Sequence, residues 1–165
     1  MPVKHSLMGD YRDLRVWHEA RVLAKRARKV AAGMKGGENA ELRNQLTRAA
    51  MSVPTNIVEG SAHDSPREFA RFLRYARASA SECEGHLVLA SDFELVAEED
   101  FKLLSKSIEA VRKMLCGLID KLDDSPPPDK RSRDSEENGK RAAGNGQRIS
   151  DDGQSPSAKK ADDKP

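Results

Sequence analysis

Residues 45–60 read QLTRAAMSVPTNIVEG, and the reading of this stretch decides the fold. Leu46, Ala49, Val53 and Ile57, preceded by Leu42, recur at three- and four-residue intervals, which places them on one face of a helix. That face is apolar and belongs in a core. Gln45, Arg48, Ser52, Asn56 and Glu59 recur at the same spacing one step round the cylinder, where they border the core. Pro54 lies inside the helix, where it removes a backbone donor and crowds the carbonyl of Ala50 at roughly 3 kcal/mol in an isolated helix. A bend is expected there, with Ser52, Thr55 and Asn56 placed to bind the freed backbone groups. Gly60 is expected to end the helix in a left-handed conformation. Glu59, in the last turn, opposes the helix dipole and calls for a partner, an arginine or the amides opening the next helix.

The same period continues on both sides. A first helix is expected from Asp13, a good cap residue, to about Ala32, burying Val16, Trp17, Ala20, Leu23, Ala24, Ala27, Val30 and Ala31. Arg21, Lys25, Arg28 and Lys29 share its opposite face. Gly33, Gly36 and Gly37 punctuate the connection, and Asn39 is expected to cap the second helix. Ser65, Pro66 and Glu68 form a capping box with proline in the first turn, which opens a third helix. Its core side is Phe69, Phe72, Leu73, Ala76, Ala80, Cys83, Leu87 and Ala90; Arg67, Arg71, Arg74 and Tyr75 point away, with Arg77 at the margin. After a connection over residues 91–97, Glu98, Glu99 and Asp100 supply the acid that a helix start favours. Leu104, Ile108, Val111, Leu115, Leu118, Ile119 and Leu122 carry the fourth helix to Pro126, Pro127 and Pro128.

The fold class expected is therefore all-α, an antiparallel up-down four-helix bundle with a disordered C-terminal tail. The 165 residues divide into a loose arm (1–12), the bundle (13–124) and the tail (125–165). Only 4% of residues are aromatic, so the core is to be built from Ala, Leu and Val at short interhelical distances. In the tail Ile149 is the one branched or aromatic apolar residue, too little to offset the entropy of ordering. The tail holds nine Lys and Arg against eight Asp and Glu, which makes it a polyampholyte rather than a basic nucleic-acid arm. The whole chain carries a formal charge of +2, so any electrostatic function rests on the distribution of charge. No stretch approaches the roughly 20 apolar residues of a membrane span, and MPVKHSLMGD lacks an apolar signal core. A cytoplasmic protein without membrane contact is expected. Cys83 and Cys116 lie on apolar helix faces without metal-ligand spacing and read as buried reduced thiols.

The run Gln45, Arg48, Ala49, Ala50, Ser52, Val53, Pro54, Asn56, Ile57, Glu59, Gly60 resembles the signature of the four helix bundle protein family, also called 23S rRNA intervening-sequence proteins. Asp13-Leu14, Val16-Trp17, Ser65, Glu68-Phe69 and Phe72-Leu73 agree with it, and the likeness covers about Tyr11 to Leu122. The resemblance implies a small bacterial four-helix bundle with a basic surface, in some members a pentameric ring. Related accessory proteins of diversity-generating retroelements bind RNA and a reverse transcriptase. The family offers no established catalytic residues to carry over.

Two surfaces are candidates for function. Arg21, Lys25, Arg28 and Lys29 on helix one, with Arg67, Arg71 and Arg74 on helix three, form rows that track phosphates, and Tyr75 is placed to stack on an unpaired base. Against this stands an ordinary solvated face, or, for Tyr75, a subunit interface. The row Gln45, Arg48, Ser52, Asn56 and Glu59 is read first as a structural polar network fixing the kinked helix against its neighbours, so that Asn56→Ala is expected to lower stability, and second as a ligand site. Glu82 and His86 share a face, while His18 and His63 are isolated; the inward carboxylates and Glu-x-x-His pairs of a di-iron bundle are missing. No nucleophile motif or glycine-rich phosphate loop appears, so neither catalysis nor a metal or other cofactor is expected. The function expected is a noncatalytic, homo-oligomeric RNA-binding or ribonucleoprotein accessory factor. Its alternative is a protein-interaction scaffold that touches no nucleic acid.

Overall fold

In the computed structural model, residues 10–124 are described. The expected tail at 125–165 and most of the expected arm at 1–12 lie outside them. Tyr11–Asp13 form a 3-10 turn closed by Asp10, whose carboxylate accepts from the Arg12 amide at 2.8 Å. Leu14 then passes through an extended conformation, so α1 runs Arg15–Gly33 and does not open on Asp13. Asp13 is spent inside the turn, and the capping carboxylate is the one three residues upstream.

Gly36, at φ +90°, bends the chain in a region that only glycine enters easily. A second 3-10 turn, Gly37–Asn39, leads into α2 (Ala40–Ser61). Asn39 precedes α2 as expected but makes no side-chain cap; its Nδ2 donates to the Lys35 carbonyl at 2.8 Å. Arg43 holds the connection instead, its Nη1 donating to the carbonyls of Met34 and Gly36 at 3.2 and 2.6 Å. Met34 is thereby kept in the core at 3% exposure. The sequence reading had assigned neither residue.

Pro54 is accommodated inside α2. Ser52, Thr55 and Asn56 each donate to the carbonyl four residues back, those of Arg48, Met51 and Ser52, at 2.8–3.0 Å. Short polar side chains on both sides of the proline thus serve the carbonyls that precede it, though not the Ala50 carbonyl that it crowds. Gly60 does not stop the helix. α2 passes through it without a positive φ, and the buried glycine leaves room for Phe69 and Phe72.

Ser65 caps α3 (Pro66–Asp92), its hydroxyl accepting from the Glu68 amide at 3.5 Å, with Pro66 in the first turn. The Glu68 carboxylate turns forward to Arg71 at 2.7 Å. The helix closes in a Schellman arrangement: Glu94 takes φ 57°, its amide donates to the Ser91 carbonyl, and the Leu95 amide donates to that of Ala90 at 2.9 Å. α4 (Glu98–Asp123) follows Ala97, which supplies no side-chain cap, and begins with three acids in its first turn.

Each helix packs on the next in chain order and α4 returns to α1, while the diagonal pairs α1/α3 and α2/α4 bring no Cα atoms within 8 Å of one another. This is an antiparallel up-down four-helix bundle. Leu23, Leu46, Ile57, Leu73, Leu87, Leu104, Ile108 and Leu115 are fully buried with Phe69, each contributing roughly 1.5–3 kcal/mol by leaving water. Ala20, Ala27, Ala50, Ala70, Ala76, Ala80 and Ala90 are equally buried between them. These small side chains let the helices approach closely, as the low aromatic content predicts. The α3/α4 seam carries polar bridges in one antiparallel register: Arg74 to Asp123 at 2.6 Å, Arg77 Nη1 to Cys116 Sγ at 3.7 Å, and Glu84 to Arg112 at 2.6 Å. Across the α1/α4 seam the Arg26 guanidinium donates to Ser107, whose hydroxyl donates in turn to the Leu103 carbonyl.

Candidate nucleic-acid interface

α1 carries Arg15, Arg21, Lys25, Arg26, Arg28 and Lys29 against a single acid, Glu19. Most of its apolar positions are consumed by the core, so the helical period turns Arg21, Lys25, Arg28 and Lys29 outward, and all four are exposed. None of them forms an ion pair among the described residues. Arg21 lies over the Trp17 ring at 4.6 Å, which fixes its guanidinium without consuming the charge. Among the described residues α1 therefore carries a row of uncompensated cations over roughly two turns.

The α3 row is different. Arg71 is paired with Glu68 at 2.7 Å and sits over the Phe72 ring at 5.4 Å, and Arg74 is paired with Asp123 of α4. Arg67 stays exposed, and Tyr75 is 49% exposed with its ring edge on Phe72. Two of the three arginines thus meet a carboxylate, and an ion pair so exposed retains only part of its attraction for a phosphate. Because α1 and α3 are diagonal, their outer faces look to opposite sides of the bundle. The two rows are not brought together within one chain.

The row on α2 is likewise not a network joining helices. Gln45 donates to Glu41 at 2.6 Å, and Ser52 and Asn56 donate to carbonyls of α2 itself, so the hydrogen bonds described for the row run along its own helix. The side chains of Arg48 and Glu59 are exposed and have no hydrogen bond or ion pair among the described residues. The partner expected for Glu59 is absent from that set. Arg48, Met51, Ser52, Thr55, Asn56 and Glu59 line an open hollow of about 390 Å³. Helical spacing found this row. Its orientation relative to α1 and α3 required the bundle.

Among the described residues no group of three or more His, Cys, Asp or Glu is placed to hold a metal ion, and no helix is long and apolar enough to cross a membrane. His86 Nε2 is 3.6 Å from the Glu82 carboxylate, beyond hydrogen-bond reach, and is buried without a hydrogen-bond partner in that set. His18 Nε2 contacts the Arg12 carbonyl at 2.6 Å, and His63 stacks on Phe72. Both cysteines are free; Cys83 is buried and Cys116 half-buried, more open than its apolar face suggested. Burial, with Glu82 and Glu84 adding to it, pushes the Cys83 thiol up to about 12.

Fold and surface together define an all-α four-helix bundle protein whose unbalanced positive charge lies on one helix, α1. The chain belongs to the 23S rRNA-intervening sequence protein family, whose model matches residues 12–117. Among solved structures it is similar to a protein of unknown function from the S23 ribosomal protein family of Bacteroides thetaiotaomicron, with a TM-score of 0.57 and 22% identity over 63% of this chain and 97% of that one. That likeness shows a common fold. No curated protein matches the chain.

Proposed function

We propose that this protein is a noncatalytic, self-associating RNA-binding or ribonucleoprotein accessory factor that holds the phosphate backbone on the outer face of α1. The observation carrying this reading is the row Arg21, Lys25, Arg28 and Lys29, without an ion pair among the described residues, on a helix with one acid, in a chain whose overall charge is only +2. Charge so segregated attracts a polyanion locally although the molecule is nearly neutral. One such row makes few contacts, so useful affinity comes from repeating it across an assembly, where each further contact is intramolecular. Membership of a family named for an rRNA insertion is consistent with an RNA partner.

The test is the solution mass of the full chain by light scattering, with and without a mixed pool of single-stranded and structured RNA, at low and high salt. RNA mass gained at low salt and lost at high salt supports the reading. Four phosphate contacts on a single strand give a slope of about −3 in log affinity against log salt. An assembly that takes up no RNA at either salt assigns the protein to the scaffold class.

A further inference from the structure

We propose that the N-terminal end of the α1 row is a base-stacking platform, built on Trp17 and Arg21, that takes an unpaired base of single-stranded RNA while Lys25, Arg28 and Lys29 hold the neighbouring phosphates. This rests on the phosphate-binding reading above and adds to it the strandedness of the ligand. Trp17, Arg21, Lys25 and Arg28 follow one another at four- and three-residue intervals, so the ring stands at the head of the same helical stripe as the cations. The indole is partly buried against the core, and the Arg21 guanidinium lies over it with Cζ 4.6 Å from the ring centroid. Arg21 is exposed, so the side of its guanidinium turned away from the ring is open. A planar cation backed by an aromatic ring offers a flat charged face, and a nucleobase stacks on such a plane as it does on an aromatic side chain.

The platform is braced before any ligand arrives. Tyr11 meets the indole edge-on at 4.9 Å between ring centroids and His18 does so at 5.1 Å, contacts that fix the orientation of the ring. The turn that carries Tyr11 is itself held. Arg12 pairs with Asp10 at 3.0 Å and lies over the Tyr11 ring at 4.7 Å, and its carbonyl contacts His18 Nε2 at 2.6 Å. Arg12 thus spends its charge on the turn, whereas Arg21 has no ion pair among the described residues and keeps its charge for a ligand. A ring and a cation already in place lose little freedom on binding. Single strands suit such a site because their bases present a free face, whereas inside a duplex each base is covered by its neighbours. Tyr75 does not join this site: its ring edge lies on Phe72, and it belongs to α3, diagonal to α1.

Trp17 is the only tryptophan of the chain, so its fluorescence reports on the site itself. The full chain is titrated at low salt with a short oligouridylate and with an abasic strand of equal length, which offers the same phosphates and no bases. The oligouridylate is expected to bind about tenfold more tightly, the yield of one stacked base, and to change the emission of Trp17. Arg21→Lys, which keeps the charge and loses the plane, is expected to bring the two affinities within about twofold of one another, with circular dichroism melting to check that this exposed substitution leaves the fold intact. Equal affinity of the native chain for the two strands would overturn the platform, whatever the emission does, and leave phosphate binding standing. A preference for the base-bearing strand that leaves the emission of Trp17 unmoved, or that survives in Arg21→Lys, would place the stacking elsewhere and overturn the platform as well. Binding of neither strand would overturn it together with the reading it rests on.

Discussion

Gly60 of α2 lies so close to Phe72 of α3 that a β-carbon on the glycine would stand 2.6 Å from the Phe72 Cβ and 2.8 Å from the Phe69 ring. The Phe72 Cβ is tied to the α3 backbone, so relief requires the two helices to separate near their turn. Gly60→Ala gains up to about 1 kcal/mol of helix propensity and loses about 1–3 kcal/mol to overpacking. The net expectation is destabilisation by about 1–2 kcal/mol, read as a lower urea midpoint with an unchanged slope.

Glu94 occupies the left-handed position that closes α3, a conformation that costs a residue with a β-carbon about 1–2 kcal/mol. Glu94→Gly keeps both closing hydrogen bonds, since these come from the backbone. Stability is expected to rise by about 1 kcal/mol, visible as a higher melting temperature.

Cys83 is held protonated because burial, helped by Glu82 and Glu84, raises its thiol to about 12 from the ordinary 9.0. Below pH 9 the thiol is protonated folded and unfolded, and its contribution to stability is complete. Between about pH 9 and 12 the unfolded chain loses the proton that the folded chain keeps, so stability falls with rising pH by up to about 1.4 kcal/mol per unit from this group. The fall in urea midpoint above pH 9 should be shallower in Cys83→Ala. With a thiol reagent at neutral pH, Cys116 is expected to react first, and Cys83 only as the bundle opens.

Lys25 and Arg28 have no ion pair among the described residues, whereas Arg74 already bonds both carboxylate oxygens of Asp123. Lys25→Glu with Arg28→Glu is expected to lower RNA affinity at least about tenfold at low salt and to flatten the salt dependence by about one unit per lost contact. Arg74→Ala should change affinity by less than about threefold, and stability by about 0.2–1 kcal/mol, the range of an exposed pair. Equal losses from both rows would show that the ion pairs of α3 open on binding.

Asn56→Ala removes one hydrogen bond, from Nδ2 to the Ser52 carbonyl of the same helix. The bond crosses to no neighbour, and alanine is the better helix former by several tenths of a kcal/mol. Stability is expected to change by less than about 0.5 kcal/mol in thermal melts, smaller than the loss that the sequence pattern suggests. A drop of about 2 kcal/mol would show that the row braces the bundle after all.

The existence of four helices, their buried faces and the opening of α3 on Ser65 and Pro66 were legible in the sequence, because each depends on residues three or four positions apart. Period and capping are local, and a one-dimensional string carries them. The start of α1 was misplaced for a local reason too: Asp10 and Asp13 compete for one turn, and their spacing alone does not choose between them. What the string does not carry is the register between helices. Arg74 and Asp123 are 49 positions apart and meet only because α3 and α4 run antiparallel at one offset. Gly60 reads as a stop until Phe72 is seen above it. The two basic rows read alike until the bundle sets α1 and α3 on its diagonal and brings Asp123 of α4 to Arg74. Helix and face follow from periodicity; which arginine meets an acid of another helix and which glycine is needed for its smallness follow from packing. Packing is a property of pairs of helices, and no single helix encodes it.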